Sequence, residues 1–581
     1  MLRFFESDNE RGCAIELVCA GILLFSAFII VSPATFLGIP NAFDLHQHLQ
    51  FAATYFESMK AGNILPGWSA FENHGYGGIG IRIYPPFAHY TLALTHFATG
   101  DWYTTVWTNL LFWTFVGGIG IYRFAREWLL PLRSLIVGLI YIAAPFRLGQ
   151  IYQSFFYSEY IAGAILPFCF LYLTRVVRGK RLGDSLLLGF LLSVLILTHI
   201  PMSLIGLVSM GIYAAILIDW HNISKVLPKL LISGVSALAA TAFYWIRLVT
   251  ESGLVNHSDP KYTLGDYDYR LYFFPQIYNT MNAYFIKQMW IKDVTTLITF
   301  VLVVPFAFYV LRLALRRARD VDLRGFLAIL ASTLFAMFMA SIMSAGIWGR
   351  IALIQKLQFP FRWLTIVAIF GSLAVVIVVD QLEFRSKIAS RFAAYALILV
   401  AFGVFLFELT QIVLPSEALD RRVFAEKTVD LNDRESYDCW WPIWSRADAF
   451  KNHERVSAGG RAYEVKTWSA ERREFVIDAG PATKVRVATF FYPFWSVRVN
   501  GDPIDAEPAE DGALQFDVPE TAVAILIEFR EPRLIGAARM VSAMAWLGFA
   551  GTLVFLTAGR RRGMRTAKYQ KTQERRESAE N

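Results

Sequence analysis

The chain has 581 residues, 55% hydrophobic and 15% aromatic, with a mean hydropathy of +0.43. Only 18% are charged, well under the share a soluble domain carries, so most of the length is not solvated surface. The net charge of +8 gathers between apolar runs and forms no stripe, which argues against nucleic acid and reads as membrane topology.

Apolar runs lie at 14–37, 104–124, 134–147, 158–175, 185–200, 202–218, 230–249, 293–314, 324–345, 361–380, 390–414 and 535–558. They predict a mainly α fold, a polytopic transmembrane bundle of about 12 helices. The first run exceeds the ~7–15 residues of a secretory signal core, so it is read as an uncleaved helix. His199, Ile200 and Pro201 are expected to turn a tight hairpin between two helices. Cys13, Cys19, Cys169 and Cys439 show no metal or redox spacing.

Arginines and lysines concentrate in alternate links: Arg123, Arg126 and Arg133; Arg175, Arg178, Lys180 and Arg181; Arg312 to Arg324; Arg385, Lys387 and Arg391. By the positive-inside rule these links are cytoplasmic, as are both termini, in a plasma membrane. The expected organisation is a core over 1–414 with outer loops 38–103 and 250–292, then an outer domain over 415–534. Alternating apolar residues in 460–530, with a turn at Asn500-Gly501, predict a small antiparallel β-sandwich there. A last transmembrane helix (535–558) and a basic cytoplasmic tail (559–581) follow.

The apolar runs hold almost no ionisable residue at mid-depth, where an ion-coupled transporter needs one. Polar groups collect instead at the outer interface, which suits chemistry on a lipid-linked molecule. After the first helix comes Asn41-Ala-Phe-Asp44-Leu-His46-Gln-His48. Asp44 and His48 are four apart and share a face if the segment is helical. Such a pair fits a general base or two ligands of a divalent metal, and equally a helix cap beside interfacial histidines. The glycines of Asn73-His-Gly75-Tyr-Gly77-Gly78 precede Pro85-Pro86 and follow no strand, so a dinucleotide loop is excluded and an aromatic-lined loop over a cleft is expected. Arg147, Glu159, His199, Lys356, Gln358 and Arg362 fall on the same side by this topology. Arg147, Arg350, Lys356 and Arg362 suit neutralisation of a phosphate.

The runs Asp44-Leu-His46, Gly62 to Trp68, Gly75-Tyr-Gly77, Tyr84-Pro-Pro86, Pro145 to Pro167, Thr198-His199 and Gln358-Phe-Pro360-Phe-Arg362 resemble a bacterial membrane-protein family labelled 6-pyruvoyl-tetrahydropterin synthase-related. The ending Phe491-Tyr-Pro493-Phe-Trp495 is similar to outer β domains of bacterial proteins of cell-envelope glycosylation. The family looks like a branch of the GT-C membrane glycosyltransferases. That resemblance implies a GT-C-like bundle and transfer of a sugar from a polyprenyl-phosphate donor to an envelope glycan, lipid or protein acceptor, among membrane lipids and without nucleic acid. Asp44 matches the acid of the first outer loop and Glu159 a second. His48 would assist Asp44, and His46, Trp68, Tyr76, Tyr84, Arg147, His199, Lys356, Gln358 and Arg362 would bind substrate. The paired acids of better-known members are missing, since Leu45 and His46 follow Asp44, and this leaves metal use open. The pterin chemistry in the label belongs to a soluble zinc enzyme whose triad has no counterpart here. A transporter or flippase of lipid-linked glycans, and a non-catalytic scaffold, are the alternative readings.

Overall fold

The computed structural model describes residues 10–552 apart from 180, 260–261, 263–267, 276–282, 317–321, 382–398, 400–402, 405, 415, 429–430 and 432–433. The basic tail, Lys180, Arg385, Lys387 and Arg391 fall outside the described residues, as does most of the 390–414 run. Two layers are present: a helical bundle, and antiparallel sheets formed by the later residues.

In chain order the helices are α1 (Glu10–Phe36), α2 (Leu45–Lys60), α3 (Gly80–Ile83), α4 (Phe87–Thr99), α5 (Trp102–Ala125), α6 (Pro131–Ile142), α7 (Pro145–Tyr152), α8 (Tyr157–Val177), α9 (Leu182–Thr198), α10 (Ile200–Leu217), α11 (Ile223–Ala240) and α12 (Ala242–Glu251). Later helices are Ala283–Leu315, Leu323–Ala340 and Leu364–Gln381, and the last is Arg533–Thr552. Among the described residues seven helices are long and apolar enough to cross a membrane, or eight if α6 and α7, bent by 41°, count as one span. The protein is integral to a membrane.

Small residues let the helices approach. A Cβ on Gly117 of α5 would stand 3.3 Å from Ala164 of α8, and Ser233 of α11 donates to the carbonyl of Ser185 at 2.8 Å across α9. Without a hydrophobic driving force between helices in lipid, such close packing and interhelical hydrogen bonds hold the bundle. His199 is extended between α9 and α10, and its Nδ1 accepts from the Met202 amide at 3.3 Å. The expected hairpin is there.

The arginines of the alternate links meet acids at one end of the bundle. Arg123 and Arg126 face Glu16 at 3.5 and 3.2 Å, and Arg175 and Arg178 face Glu127 at 3.0 and 3.4 Å. Arg178 also pairs with Asp322, Arg133 with Asp380, and Arg324 with Asp219. We call this the basic end.

At the opposite end sits the β unit. Strands β1 (Ile39–Pro40) and β2 (Ala418–Leu419) form a two-stranded pair. Then β3 (Val456–Ser457), β4 (Tyr463–Trp468), β5 (Arg472–Ile477), β6 (Thr483–Phe490), β7 (Trp495–Val499), β8 (Asp502–Ile504), β9 (Glu507–Pro508), β10 (Ala513–Val518) and β11 (Val523–Phe529) make two antiparallel sheets. Their orders are β3-β6-β10-β9 and β4-β5-β11-β7-β8. Alternate residues such as Phe475, Val485, Val487, Ile525 and Ile527 are buried between them, as the period of two requires.

The first outer loop is part of that core. Trp68 is 1% exposed and packs against Trp495, Tyr492 and Phe529. Tyr76, also 1% exposed, lies on Phe490 while its hydroxyl donates to the carbonyls of Ala449 and Asn452. Gly77 has φ +77°, and a Cβ there would collide with the Trp68 indole, which is why this turn needs glycine. A buried charge cluster fastens the same junction. Arg82 of α3 donates to Glu251 of α12 at 2.6 and 2.7 Å and to Glu531 at 2.8 and 3.0 Å. Arg247 and Arg539 also reach Glu531, and the Tyr492 hydroxyl reaches Glu251.

Candidate active site

Asp44 is placed by two local ties. The β1–β2 pair pins the chain after α1, with the Asn41 amide donating to the Glu417 carbonyl at 2.7 Å. The Asp44 amide then donates to the Ser154 carbonyl at 3.3 Å, which joins the start of α2 to the turn before α8. Asp44 occupies the N-cap position of α2, but with φ −92° and ψ −2° its side chain makes no capping bond. Among the described residues its carboxylate has no hydrogen bond or ion pair at all.

Glu159 stands in the first turn of α8, 1% exposed. Its Oε2 accepts from Arg362 Nε at 2.8 Å and its Oε1 from Gln150 Nε2 at 2.8 Å. Arg362 is brought there by a tight corner. Gln358 adopts φ +64°, rare for a residue with a Cβ, and Pro360–Trp363 turn as a 3-10 helix into the next span. Arg362 Nη1 is held by the Leu357 carbonyl and by Gln358 Oε1 at 3.4 Å. Its Nη2 carries no hydrogen bond among the described residues.

Asp44 lies in the field of this pair. Burial pushes its carboxyl up to about 7, with Arg362 opposing the shift and Glu159 adding to it. Tyr84 feels Asp44, Arg362 and Glu159 together, and its phenol is raised by burial first and then by Asp44. Asp44, Tyr84, Glu159, Gln358 and Arg362 therefore share one site at the end opposite the ion-paired basic end. His199 is buried beside the same arginine. Lys356 is exposed at its edge, with no partner among the described residues.

Several expectations need correction. His48 does not serve Asp44: its Nδ1 is 3.0 Å from His89 Nε2 and the two rings stack. Burial pushes His48 down to about 3 and His89 well below the ordinary imidazole value, so both are neutral. Trp68 and Tyr76 are sealed in the β core and offer no face to a sugar. Arg147 is 1% exposed, lies 3.8 Å from the Tyr160 ring centre, and donates to the Tyr160 carbonyl and to Gln150. It therefore braces Gln150 against Glu159, and its Nε has no hydrogen bond among the described residues. Of the pair considered for a divalent metal, His48 gives only its Nδ1 to His89, and its Nε2 has no hydrogen bond among the described residues. Among the described residues no three His, Cys, Asp or Glu side chains gather as ligands.

Sequence reading missed other groups. His89 and Gln150 looked like ordinary helix residues and signalled nothing. Glu408, in a run set among those read as holding almost no ionisable residue, is buried with neither oxygen hydrogen-bonded among the described residues. His46 lines a cavity of about 510 Å³ with Arg434.

Similar solved structures include ArnT from Cupriavidus metallidurans bound to undecaprenyl phosphate (14% identity, TM-score 0.41, 66% of this chain and 63% of that one). The Archaeoglobus fulgidus oligosaccharyltransferase is similar in its apo form (12%, 0.43, 69% and 57%) and in complex with Zn and sulfate (14%, 0.41, 69% and 54%). The chain thus spans less than two thirds of the length of each. No curated protein sequence matches. A family model described as the 6-pyruvoyl-tetrahydropterin synthase related domain, a membrane protein, matches residues 81–412, more than half of the chain. The chain belongs to that family.

Proposed function

We propose that the protein is a membrane glycosyltransferase of GT-C type that moves a sugar from a polyprenyl-phosphate carrier to an acceptor on the extracytoplasmic face. The observation that carries this reading is the unpartnered carboxylate of Asp44 beside the Glu159–Arg362 pair, at the end of the bundle away from the basic links. A carboxyl poised near neutrality is suited to general-base work, because it is both available and basic at working pH. Asp44 takes the proton of the acceptor hydroxyl as that oxygen attacks the anomeric carbon. The bond from that carbon to the phosphate oxygen breaks and the lipid phosphate leaves, so a direct displacement inverts the anomeric centre. Arg362 meets the leaving phosphate with Nη2, the donor the protein leaves open, in a site where little water competes. Glu159 and Gln150 hold the guanidinium in place, with Arg147 behind them. By this account Glu159 is a positioning residue and not a second base. Lys356 lies where it adds positive charge for the carrier phosphate.

The test is mass spectrometry of polyprenyl-linked sugars and envelope glycans in cells with and without the gene. The reading expects a sugar-charged carrier to accumulate in the deletion while one envelope glycan loses that sugar. Identical carrier and glycan profiles in the two strains would contradict it.

A further inference from the structure

The cavity beside His46 belongs to no residue assigned above a role in the displacement. It is lined by the start of α2 and, after β2, by Phe424, Lys427, Thr428, Leu431 and Arg434. Its volume of about 510 Å³ falls in the range of small-ligand pockets. Leu45, Leu49, Phe424 and Leu431, all buried, give it an apolar floor. Its charged lining is Glu417, Lys427 and Arg434. Glu417 is occupied, since its Oε1 accepts from Asn41 Nδ2 at 2.9 Å. Neither Lys427 nor Arg434 has a hydrogen bond or ion pair from its side chain among the described residues. The cavity therefore holds two uncommitted cations against one committed carboxylate.

Arg434 is also anchored. Its backbone carbonyl accepts from Gln50 Nε2 at 2.8 Å and from the Asn73 amide at 2.9 Å. The guanidinium thus projects from a fixed point shared by α2 and the first outer loop. A planar guanidinium with all donors open is matched by the two oxygens of a phosphate or carboxylate. The neutral His46 ring next to it supplies one donor and one acceptor for hydroxyls.

We infer that this cavity binds an anionic group of the acceptor, a phosphate or carboxylate on a saccharide or lipid head group, with Arg434 and Lys427 as its counter-charges. The inference rests on the transferase reading for the word acceptor. The anion site itself does not depend on turnover. Phe43 and Leu45 line the cavity and flank Asp44 in the chain, so a ligand held there is anchored beside the loop that carries the base.

The experiment is calorimetric titration of the purified full-length protein in nanodiscs with glucose 1-phosphate, glucuronate and glucose. Both anions are expected to bind and glucose to bind at least about tenfold more weakly, which is one 1.4 kcal/mol step. Arg434→Gln with Lys427→Gln should weaken anion binding about tenfold or more, whereas Arg434→Lys, which keeps the charge but loses the planar fork, weakens it less and shows that the fold persists. Asp44→Asn should bind the anions like the wild type. If that variant is also fully active in cells, the transferase mechanism fails while the anion site stands. Nanodiscs of phosphatidylglycerol against phosphatidylcholine distinguish the source: competition by phosphatidylglycerol supports a lipid head group, and equal binding in the two supports a saccharide anion. Absence of saturable anion binding, equal binding of glucose, or unchanged affinity in the double variant would overturn the inference.

Discussion

The two ends of the bundle treat charge in opposite ways. At the basic end Glu16, Glu127, Asp219, Asp322 and Asp380 each face an arginine, and the charges close on themselves between helix termini. At the other end Arg82, Glu251 and Glu531 are closed in the same manner where the β unit docks. At the same end, however, Asp44 is left without a partner and Arg362 keeps one donor open among the described residues. Buried charge is tolerated when it is paired and hydrogen-bonded. An unpaired group kept beside a paired one is therefore where ligand chemistry is to be sought. The comparison teaches that the arginines of this chain divide into ties and tools, and that exposure alone does not sort them. Arg147 and Arg362 are both buried and each leaves a donor without a partner among the described residues, Nε in Arg147 and Nη2 in Arg362, but only Arg362 acts on Asp44.

Breaking a tie and breaking a tool should look different. Arg362→Ala leaves the Glu159 carboxylate buried and uncompensated, with an expected loss of about 3–5 kcal/mol and loss of transfer. Replacing both partners, Arg362→Met with Glu159→Leu, should recover most of the stability in a denaturation assay and none of the transfer. Recovery of activity would move Arg362 into the structural class. Glu72 gives the next largest effect. It is 1% exposed, and burial pushes its carboxyl up to about 7 against the neighbouring Ser69 and Ser436 hydroxyls. Its folded value lies above the ordinary carboxylate range, so its ionisation opposes folding. Stability from this group is therefore lost as pH rises from the ordinary range through about 7. Glu72→Gln should flatten melting temperature against pH over that window and gain on the order of 3 kcal/mol above it. At the basic end, Arg175→Ala leaves Glu127 its second partner Arg178, so about 1 kcal/mol is expected with transfer unchanged. Smallest is Lys356→Ala: an exposed, unpartnered side chain should shift stability by less than about 0.5 kcal/mol while lowering transfer through weaker donor binding.

Much of this was legible in the residues, for identifiable reasons. The apolar runs and the arginine-rich links are set by the cost of polar groups in hydrocarbon, so the bundle and its two unlike ends follow from composition. The strands of the β unit follow from period-two burial at Phe475 to Ile527. The hairpin at His199 follows from a proline that cannot continue a helix. The site was half legible: Asp44, Tyr84, Glu159, Gln358 and Arg362 converge across more than 300 residues, yet nothing local distinguishes Arg362 from Arg147. The error over His48 has the same origin. A spacing of four places two side chains on one face but does not say which partner each will choose, and His89 was invisible until α4 packed on α2. Trp68 and Tyr76 misled because aromatics in an outer loop look alike whether they stack on sugar or seal a domain.

The ionised form of Asp44 is the active one in this account. In a membrane assay transfer should therefore rise with pH through about 7, the value to which burial brings this carboxyl. The most direct measurement returns Asp44→Asn to cells lacking the gene and quantifies the sugar-charged carrier and its glycan product. The account predicts that the variant reaches wild-type levels in the membrane, forms product some 10²–10⁴-fold more slowly, and leaves the charged carrier accumulated. Product at the wild-type level would contradict it.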